Sequence, residues 1–593
     1  MQEDISAKVP DKAISKARAL MMSYRMEALC ALLLTVMALN FLSVLPRKSI
    51  TVDDIVHIPA GFYHLHRRFR INFEQPPLVK MLAAFPLLLT NTEMPAMDQS
   101  MGSLDPHRGF TQNALAQEFW RANNTRYEEL TFWSRVPMIA VALLLGALIF
   151  SFTRQLFGAR AGLLAVALYT LEPTILANGR VVQTDVIASL AYLLLSVATY
   201  VYLKTPKIKT AAFIGLTVGL ALVSKFSMLA LAPLAILAQI GLFTFAPKFG
   251  QRRSAIALHV LLSCALAIIV VNAAYLFHRG PPEPFSTFLG LRDDVTASME
   301  VAPQVEAAAY SAAQRIFSPE YVNGVLFQMA HNRHGNTASL LGMYSQYGWW
   351  YYFPIAFALK TTIPFLLLSV ASIAWALWRF YKKRERQLLV MLLPFFAFTA
   401  LSMMGSINIG IRHFLPAYPF LFILSGALLD FVLRRRQKPL LIMTVVIALF
   451  GWMGIETIRA FPDYIPYMNE LASRSPHWYY LSDSNVEWGD DVKSLALYLR
   501  EKGEQSVSAA IMAHPVLESY GIEAINAPAD ASRAKTRYVA IGASHLNGST
   551  VGSEQTGSTS LSRSARINYF ADYRQRQPEI IFGNSIYLYR AKE

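Results

Sequence analysis

The sequence predicts a polytopic α-helical membrane protein with a small α/β domain at its C-terminal end. Three observations predict it. Hydrophobic residues make up 54% and charged residues only 16% of the 593, with a mean hydropathy of +0.34; soluble domains carry about 25% charged residues. Apolar stretches close to the roughly 20 residues needed to cross a bilayer recur along the chain. Basic residues fall in every second connection between those stretches, as cytoplasmic loops require.

The spans are 26–46, 133–153, 161–178, 185–203, 211–224, 226–246, 255–278, 353–378, 388–404, 414–433 and 440–458, about eleven in all. Arg154 and Arg160, Lys204 to Lys209, Lys248 to Arg253, Arg379 to Arg386 and Arg434 to Lys438 mark one face, together with the basic N-terminus, residues 1–25. The positive-inside rule makes that face cytoplasmic. The net charge of +15 is thereby accounted for by loop clusters, which argues against a nucleic-acid partner. Cys30 and Cys264 both lie in apolar runs and offer neither a metal cluster nor a disulfide. The first apolar run is long for a signal peptide and lacks a small-residue cleavage site, so it reads as a retained first helix.

The opposite, exterior face carries the long segments: loops 47–132 and 279–352, and a C-terminal domain, 459–593, after the membrane domain 26–458. Loops of that length are uncommon without a task. In the tail, a helix-like stretch (Asp491 to Glu501) precedes strand-like segments at Ser506–Met512, Tyr538–Gly542 and Ser585–Tyr589. No internal repeat is visible, which weighs against an inverted-repeat transporter.

Acids at a membrane surface need a reason, because burying an unpaired carboxylate is costly. Asp53 and Asp54 follow the first span. Thr51 and Asp54 have the spacing of a capping box, and Asp53 in a first turn suits the helix dipole. The functional alternative is a carboxylate that takes a proton from an acceptor hydroxyl. On a helix His57 would reach either acid, as a hydrogen-bonded partner. Pro76 and Pro77 impose an extended chain before Leu78 to Leu89, an apolar segment suited to the interface plane that carries Lys80 alone. That places Glu74 at the water–lipid boundary. Asp185 opens the fourth span, either as its cap or as a site acid, with Arg180 nearby. Lys225 sits in the tight turn between the fifth and sixth spans, and Arg412 and His413 supply further nitrogen groups on the same face. Cations for a leaving phosphate and a carboxylate for an acceptor are what a phosphosugar site needs. Asp483, Asn485, Glu487, Asp490 and Asp491 form a polar cluster without the spacing of a calcium loop, and read as turn and capping residues.

Asp53-Asp54 after the first span, Glu74 to Leu78 (EQPPL), Thr184-Asp185 and Lys225 resemble the polyprenyl-phosphate-dependent glycosyltransferases of the GT-C fold, which include the protein O-mannosyltransferases and the lipid A aminoarabinose transferase. Gly348 to Phe357 (GWWYYFPIAF) with Lys360, Asn408 to Pro416 (NIGIRHFLP) and Asp483 to Asp490 (DSNVEWGD) extend the resemblance to a bacterial branch of family 39-like proteins. It implies Asp53 as the first-loop acid and general base, Asp54 beside it, Glu74 as the acid of the Glu-x-Pro-Pro element, and Asp185 near the sugar or acceptor. It also implies Lys225 and Arg412 as cations for the carrier phosphate. The aminoarabinose transferase pattern has a lysine after the glutamate. Here that position is Gln75, so either Lys80, Arg180 or Arg412 takes its place or the headgroup is held differently.

The function so implied is transfer of a sugar from a polyprenyl-phosphate donor to a hydroxyl of a glycan, lipid or protein acceptor, at the extracytoplasmic side of a bacterial inner membrane. The scheme requires no cofactor and leaves a divalent cation open. The rival reading, a transporter or flippase of a lipid-linked sugar, would place polar residues within the spans near mid-bilayer. Here they cluster at one rim.

Overall fold

A computed structural model describes residues 11–96, 110–245, 252–280, 303–435, 437–552 and 561–591. Eight of its helices are long and apolar enough to cross a membrane, within 24–47, 124–157, 184–204, 253–274, 363–383, 386–404, 411–433 and 439–460. Apolar chain can enter lipid only with its backbone groups paired internally, which a helix achieves alone.

In chain order the bundle comprises α1 (Asp11–Val44), α5 (Tyr127–Phe157), α6 (Ala159–Leu171), α7 (Pro173–Asn178), α8 (Thr184–Lys204), α9 (Ile208–Ser224), α10 (Pro233–Phe245) and α11 (Arg253–Ala274). After the second long loop come α14 (Tyr352–Lys360), α15 (Ile363–Lys383), α16 (Leu389–Met404), α17 (Tyr418–Leu433) and α18 (Pro439–Ala460). The first loop contributes α2 (Val52–Leu65), α3 (Leu78–Ala84) and α4 (Phe110–Ala122). The second contributes α12 (Pro303–Ile316), α13 (Pro319–His334) and a hairpin of β1 (Ala338–Leu340) and β2 (Met343–Ser345).

Burial sorts these helices by position. The apolar window of the α17 span is 83% buried, against 22% for α18. α17 is therefore the central post and α18 a peripheral one, with Leu440 and Ile458 turned outward. α17 approaches α6 closely because Gly426 has no side chain; a Cβ there would lie 2.6 Å from the Ala161 carbonyl oxygen.

Two of the expected spans are broken, and the breaks mend each other. The span read as 161–178 divides at Glu172-Pro173, and the span read as 353–378 divides at Thr361-Thr362, one residue short of Ile363-Pro364. Proline removes a donor and clashes with the preceding turn. Thr362 Oγ1 donates to Glu172 Oε2 at 2.9 Å, and Thr174 Oγ1 donates to the Lys360 carbonyl at 2.6 Å. Side chains from each interruption thus satisfy groups at the other. The span read as 226–246 likewise starts as a 3-10 turn, Phe226–Ala230, before α10.

The two ends of the bundle differ. At one end Arg154 pairs with Glu27, and Asp430 pairs with both Arg160 and Arg434. The other end carries the long segments and the C-terminal unit. There α19 (Val492–Glu501) packs with a five-stranded mixed sheet of β3 (Ser506–Ala510), β4 (Glu523–Asn526), β5 (Tyr538–Gly542), β6 (Ile580–Phe582) and β7 (Ile586–Arg590). The strand order is β4-β3-β5-β7-β6, with β3 parallel to β4 and β5, and β7 antiparallel to β5 and β6.

Candidate functional site

Asp53 and Asp54 sit in the first turn of α2, and the cap of that helix separates them. Thr51 Oγ1 accepts from the Asp54 amide at 3.4 Å, and the Asp54 carboxylate accepts from the Thr51 amide at 2.9 Å. This is a complete capping box. Asp54 also accepts from the Val182 amide at 2.7 Å and from Arg135 Nη2 at 2.5 Å and Nε at 3.2 Å. Both residues are fully buried. The capping alternative therefore describes Asp54, and both of its carboxylate oxygens are engaged in these contacts.

Asp53 points elsewhere. Its carboxylate keeps 22% exposure and accepts from Arg412 Nη1 at 2.8 Å. The same Nη1 lies 3.5 Å from Asp185 Oδ2. Asp185 stands in the first turn of α8, but it is not the cap. Gln183 takes that role, its side-chain oxygen accepting from the Asp185 amide. The Asp185 carboxylate is left over for cations: Oδ1 is paired with Lys225 Nζ, and the buried Oδ2 accepts no hydrogen bond. Lys225 is positioned by ending α9 in an extended conformation, which directs its side chain back across the end of the bundle. Its Nζ also meets His413 Nδ1 at 3.1 Å. An ammonium only donates, so Nδ1 is the acceptor and the ring proton sits on Nε2, which is enclosed without a hydrogen-bond partner.

Four chain-distant segments thus deliver a linked row: Asp53, Arg412, Asp185, Lys225, His413. Two carboxylates alternate with two cations, and unused hydrogen-bonding capacity remains at Asp185 Oδ2 and His413 Nε2. An incoming anion can compete for both cations. α2 also borders a cleft of about 750 Å³, floored by Val52, Ile55 and Val56 and walled by α4 and the 511–516 loop, and none of the five row residues lines it.

The other expected site residues lie apart from this row. Lys80 is buried, and its three N–H groups go to the Asn72 carbonyl, Asn72 Oδ1 (3.0 Å) and the Gln75 carbonyl (2.7 Å). Burial brings its pKa down to about 7, with Glu74 opposing. It closes the turn between Asn72 and Gln75. Glu74 is half-buried and coupled to Lys80. Arg180, fully buried, pairs with Asp490 at 3.1 Å. His57 hydrogen-bonds to neither acid: its Nδ1–H donates to the Val182 carbonyl at 2.9 Å, while the charges of Asp53 and Asp54 act on its ring without a bond. Burial, the largest influence, lowers its pKa. Asp54 and His57 thus grip the two sides of the Val182 residue, and an i,i+4 contact loses to a long-range one.

The acidic stretch after α18 is structural, though not by capping. Asp490 binds Arg180, Asp491 binds Lys48 and accepts from Ser585 Oγ at 2.5 Å, and Glu487 accepts from the amides of Met512 (2.6 Å) and Ser544 (2.9 Å). These contacts fasten the sheet to the bundle. Among the described residues no group of three or more His, Cys, Asp or Glu side chains is placed to hold a metal ion. Two site neighbours carried no sequence signal beyond lying in the DSNVEWGD stretch: Ser484 and Trp488, both in contact with Arg412.

Residues 129–276 match the family model described as dolichyl-phosphate-mannose-protein mannosyltransferase. The matched segment runs from α5 to just past α11 and contains Asp185 and Lys225 of the row. Among solved structures, the chain is similar to an Archaeoglobus fulgidus oligosaccharyltransferase complexed with zinc and sulfate, at 11% identity and a TM-score of 0.45, covering 86% of this chain and 68% of that one. It is also similar to ArnT from Cupriavidus metallidurans, bound to undecaprenyl phosphate (14% identity, TM-score 0.40) and in the apo state (15%, 0.41), with 83% of this chain and 73% of that one covered in both cases. No curated protein matches.

Proposed function

We propose that this chain is a multi-pass membrane glycosyltransferase that moves a sugar from a polyprenyl-phosphate donor to an acceptor hydroxyl at the extracytoplasmic rim. The observation that carries the reading is the row Asp53–Arg412–Asp185–Lys225–His413, assembled from one end of the bundle with hydrogen-bonding capacity to spare. The basic clusters at the other end support the orientation.

In the resting arrangement Arg412 occupies Asp53. The donor phosphate accepts hydrogen bonds from Arg412 and Lys225 where they stand, which weakens the bond from Arg412 Nη1 to Asp53 and leaves that carboxylate able to take a proton. The acceptor oxygen then attacks the anomeric carbon as its proton passes to Asp53. The bond from that carbon to the phosphate oxygen breaks with its electron pair on the phosphate, where the two cations stabilise the charge.

The test is to incubate the purified full-length protein with a panel of polyprenyl-phosphate sugars and candidate acceptors, and to measure free polyprenyl phosphate. Release from at least one donor, dependent on acceptor, is expected. Release from none contradicts the proposal.

A further inference from the structure

Arg412 belongs to the bundle, yet the atoms that hold it come from the segment after α18. Its Nε donates to Ser484 Oγ at 3.0 Å, and its guanidinium carbon lies 4.3 Å from the centre of the Trp488 ring. Ser484 Oγ donates in turn to the Ile409 carbonyl at 2.9 Å, and the Ile411 amide donates to Asn485 Oδ1 at 2.9 Å. The backbone on both sides of Gly410 is therefore fastened to one turn. A Cβ at Gly410 would collide with Ser484 Oγ, so a larger residue there would have to turn that hydroxyl away from Arg412.

Trp488 is 2% exposed, so its ring is spent on the interior. Its carbonyl accepts from the Val52 amide at 3.0 Å, one residue before Asp53. One residue thus holds the acid's helix through its backbone and the opposing arginine through its side chain. A guanidinium stacked on an indole and hydrogen-bonded at Nε has lost most of its rotamer freedom before a ligand arrives. Without those contacts a long side chain between two carboxylates could satisfy either one and leave the other.

We propose that Ser484 and Trp488 are positioning residues that hold the Arg412 guanidinium between Asp53 and Asp185, so that the C-terminal segment completes a site begun by the bundle. The consequence for transfer rests on the glycosyltransferase reading above; the clamp itself does not.

The test uses the full-length protein with Trp488→Leu, Trp488→Phe and Ser484→Ala, each in the natural background and in Arg412→Lys. Ring substitutions leave the backbone bond to Val52 available. In the natural background Trp488→Leu raises the KM for the donor about tenfold and Ser484→Ala about threefold, while Trp488→Phe recovers most of the loss. In Arg412→Lys, Trp488→Leu adds less than about twofold, because the partner it serves is already gone. Thermal midpoints of the same proteins supply a readout free of substrate: the Trp488→Leu and Arg412→Lys shifts are expected to be non-additive. Equal losses in both backgrounds with additive midpoints overturn the clamp, as does a phenylalanine no better than leucine. If the natural protein releases polyprenyl phosphate from no donor, the transferase reading fails alone, and the midpoints still decide the clamp.

Discussion

Asp53 and Asp54 are adjacent in the chain, each faces an arginine, and their surroundings could hardly differ more. Asp54 and Arg135 form a closed unit, fully buried, with a capping box and the Val182 amide using up the carboxylate. Asp53 and Arg412 form an open one: Asp53 keeps 22% exposure, and Arg412 is shared with Asp185, whose Oδ2 accepts no hydrogen bond. A saturated pair holds a fold together, and a pair with spare capacity can exchange partners. Spare capacity alone does not make the distinction. Arg180 Nε and Nη1 and Asp490 Oδ1 also lack hydrogen-bond partners, but that pair is fully enclosed, whereas Asp53 is open to an incoming group.

The comparison can be broken at the closed unit first. Arg135→Met leaves Asp54 buried without its cation, and breaking a buried pair from one side costs about 3–5 kcal/mol. A large fall in thermal midpoint and in folded yield is expected. A midpoint near that of the natural protein would mean that the pair is not the anchor of α2. The next largest effect is at the open unit. Lys225→Gln removes a charge-assisted partner from the donor phosphate, worth about 1.5–3 kcal/mol, so kcat/KM for the donor should fall about 10- to 100-fold, measured per folded protein. An unchanged value would remove Lys225 from the site.

A smaller effect comes from Asp483, which neighbours the open unit. Burial pushes its carboxyl up to about 6, with Arg412 opposing. A carboxyl whose folded pKa exceeds its unfolded one binds its proton more tightly in the fold, so its share of stability is lost as pH rises from about 4 through 6. Asp483→Asn removes that contribution and suits the left-handed backbone at this position, φ 56°. The variant's thermal midpoint should therefore gain on the natural protein's between pH 4 and pH 7; parallel profiles would contradict the assignment. The smallest effect is expected at Lys80→Met. Because Lys80 closes a turn, the donor KM should stay as it is while the midpoint falls. A raised KM would return Lys80 to the phosphate site.

Much of this architecture was legible in the sequence because lipid imposes a simple rule on apolar runs, and charge alternation then sorted the ends. The breaks at Glu172-Pro173 and Thr361-Thr362 escaped it, since each is stable only against the other. Strands β4 and β6 escaped too: Glu523–Asn526 lies at a sheet edge and is partly exposed, without the apolar alternation of a core strand. Of the site, the acids and cations of the open row could be named, because each stands at the same end of a span. What could not be read was their pairing. Asp54 with Arg135, His57 with Val182 and Arg180 with Asp490 are contacts over 81 to 310 residues, and for His57 local spacing offered nearer partners, the two acids, to which it makes no hydrogen bond. Ser484 and Trp488 were hidden for the same reason.

The most direct measurement places the two neighbours side by side: Asp53→Asn and Asp54→Asn, each assayed for acceptor-dependent release of polyprenyl phosphate per unit of folded protein. Loss of a general base costs about 10²–10⁴-fold, so Asp53→Asn should lose transfer by that factor with a midpoint close to the natural one. Asp54→Asn should lose midpoint, while the molecules that remain folded turn over. Full activity in Asp53→Asn, or a rate loss confined to Asp54→Asn, would contradict the placement of the chemistry at the open row.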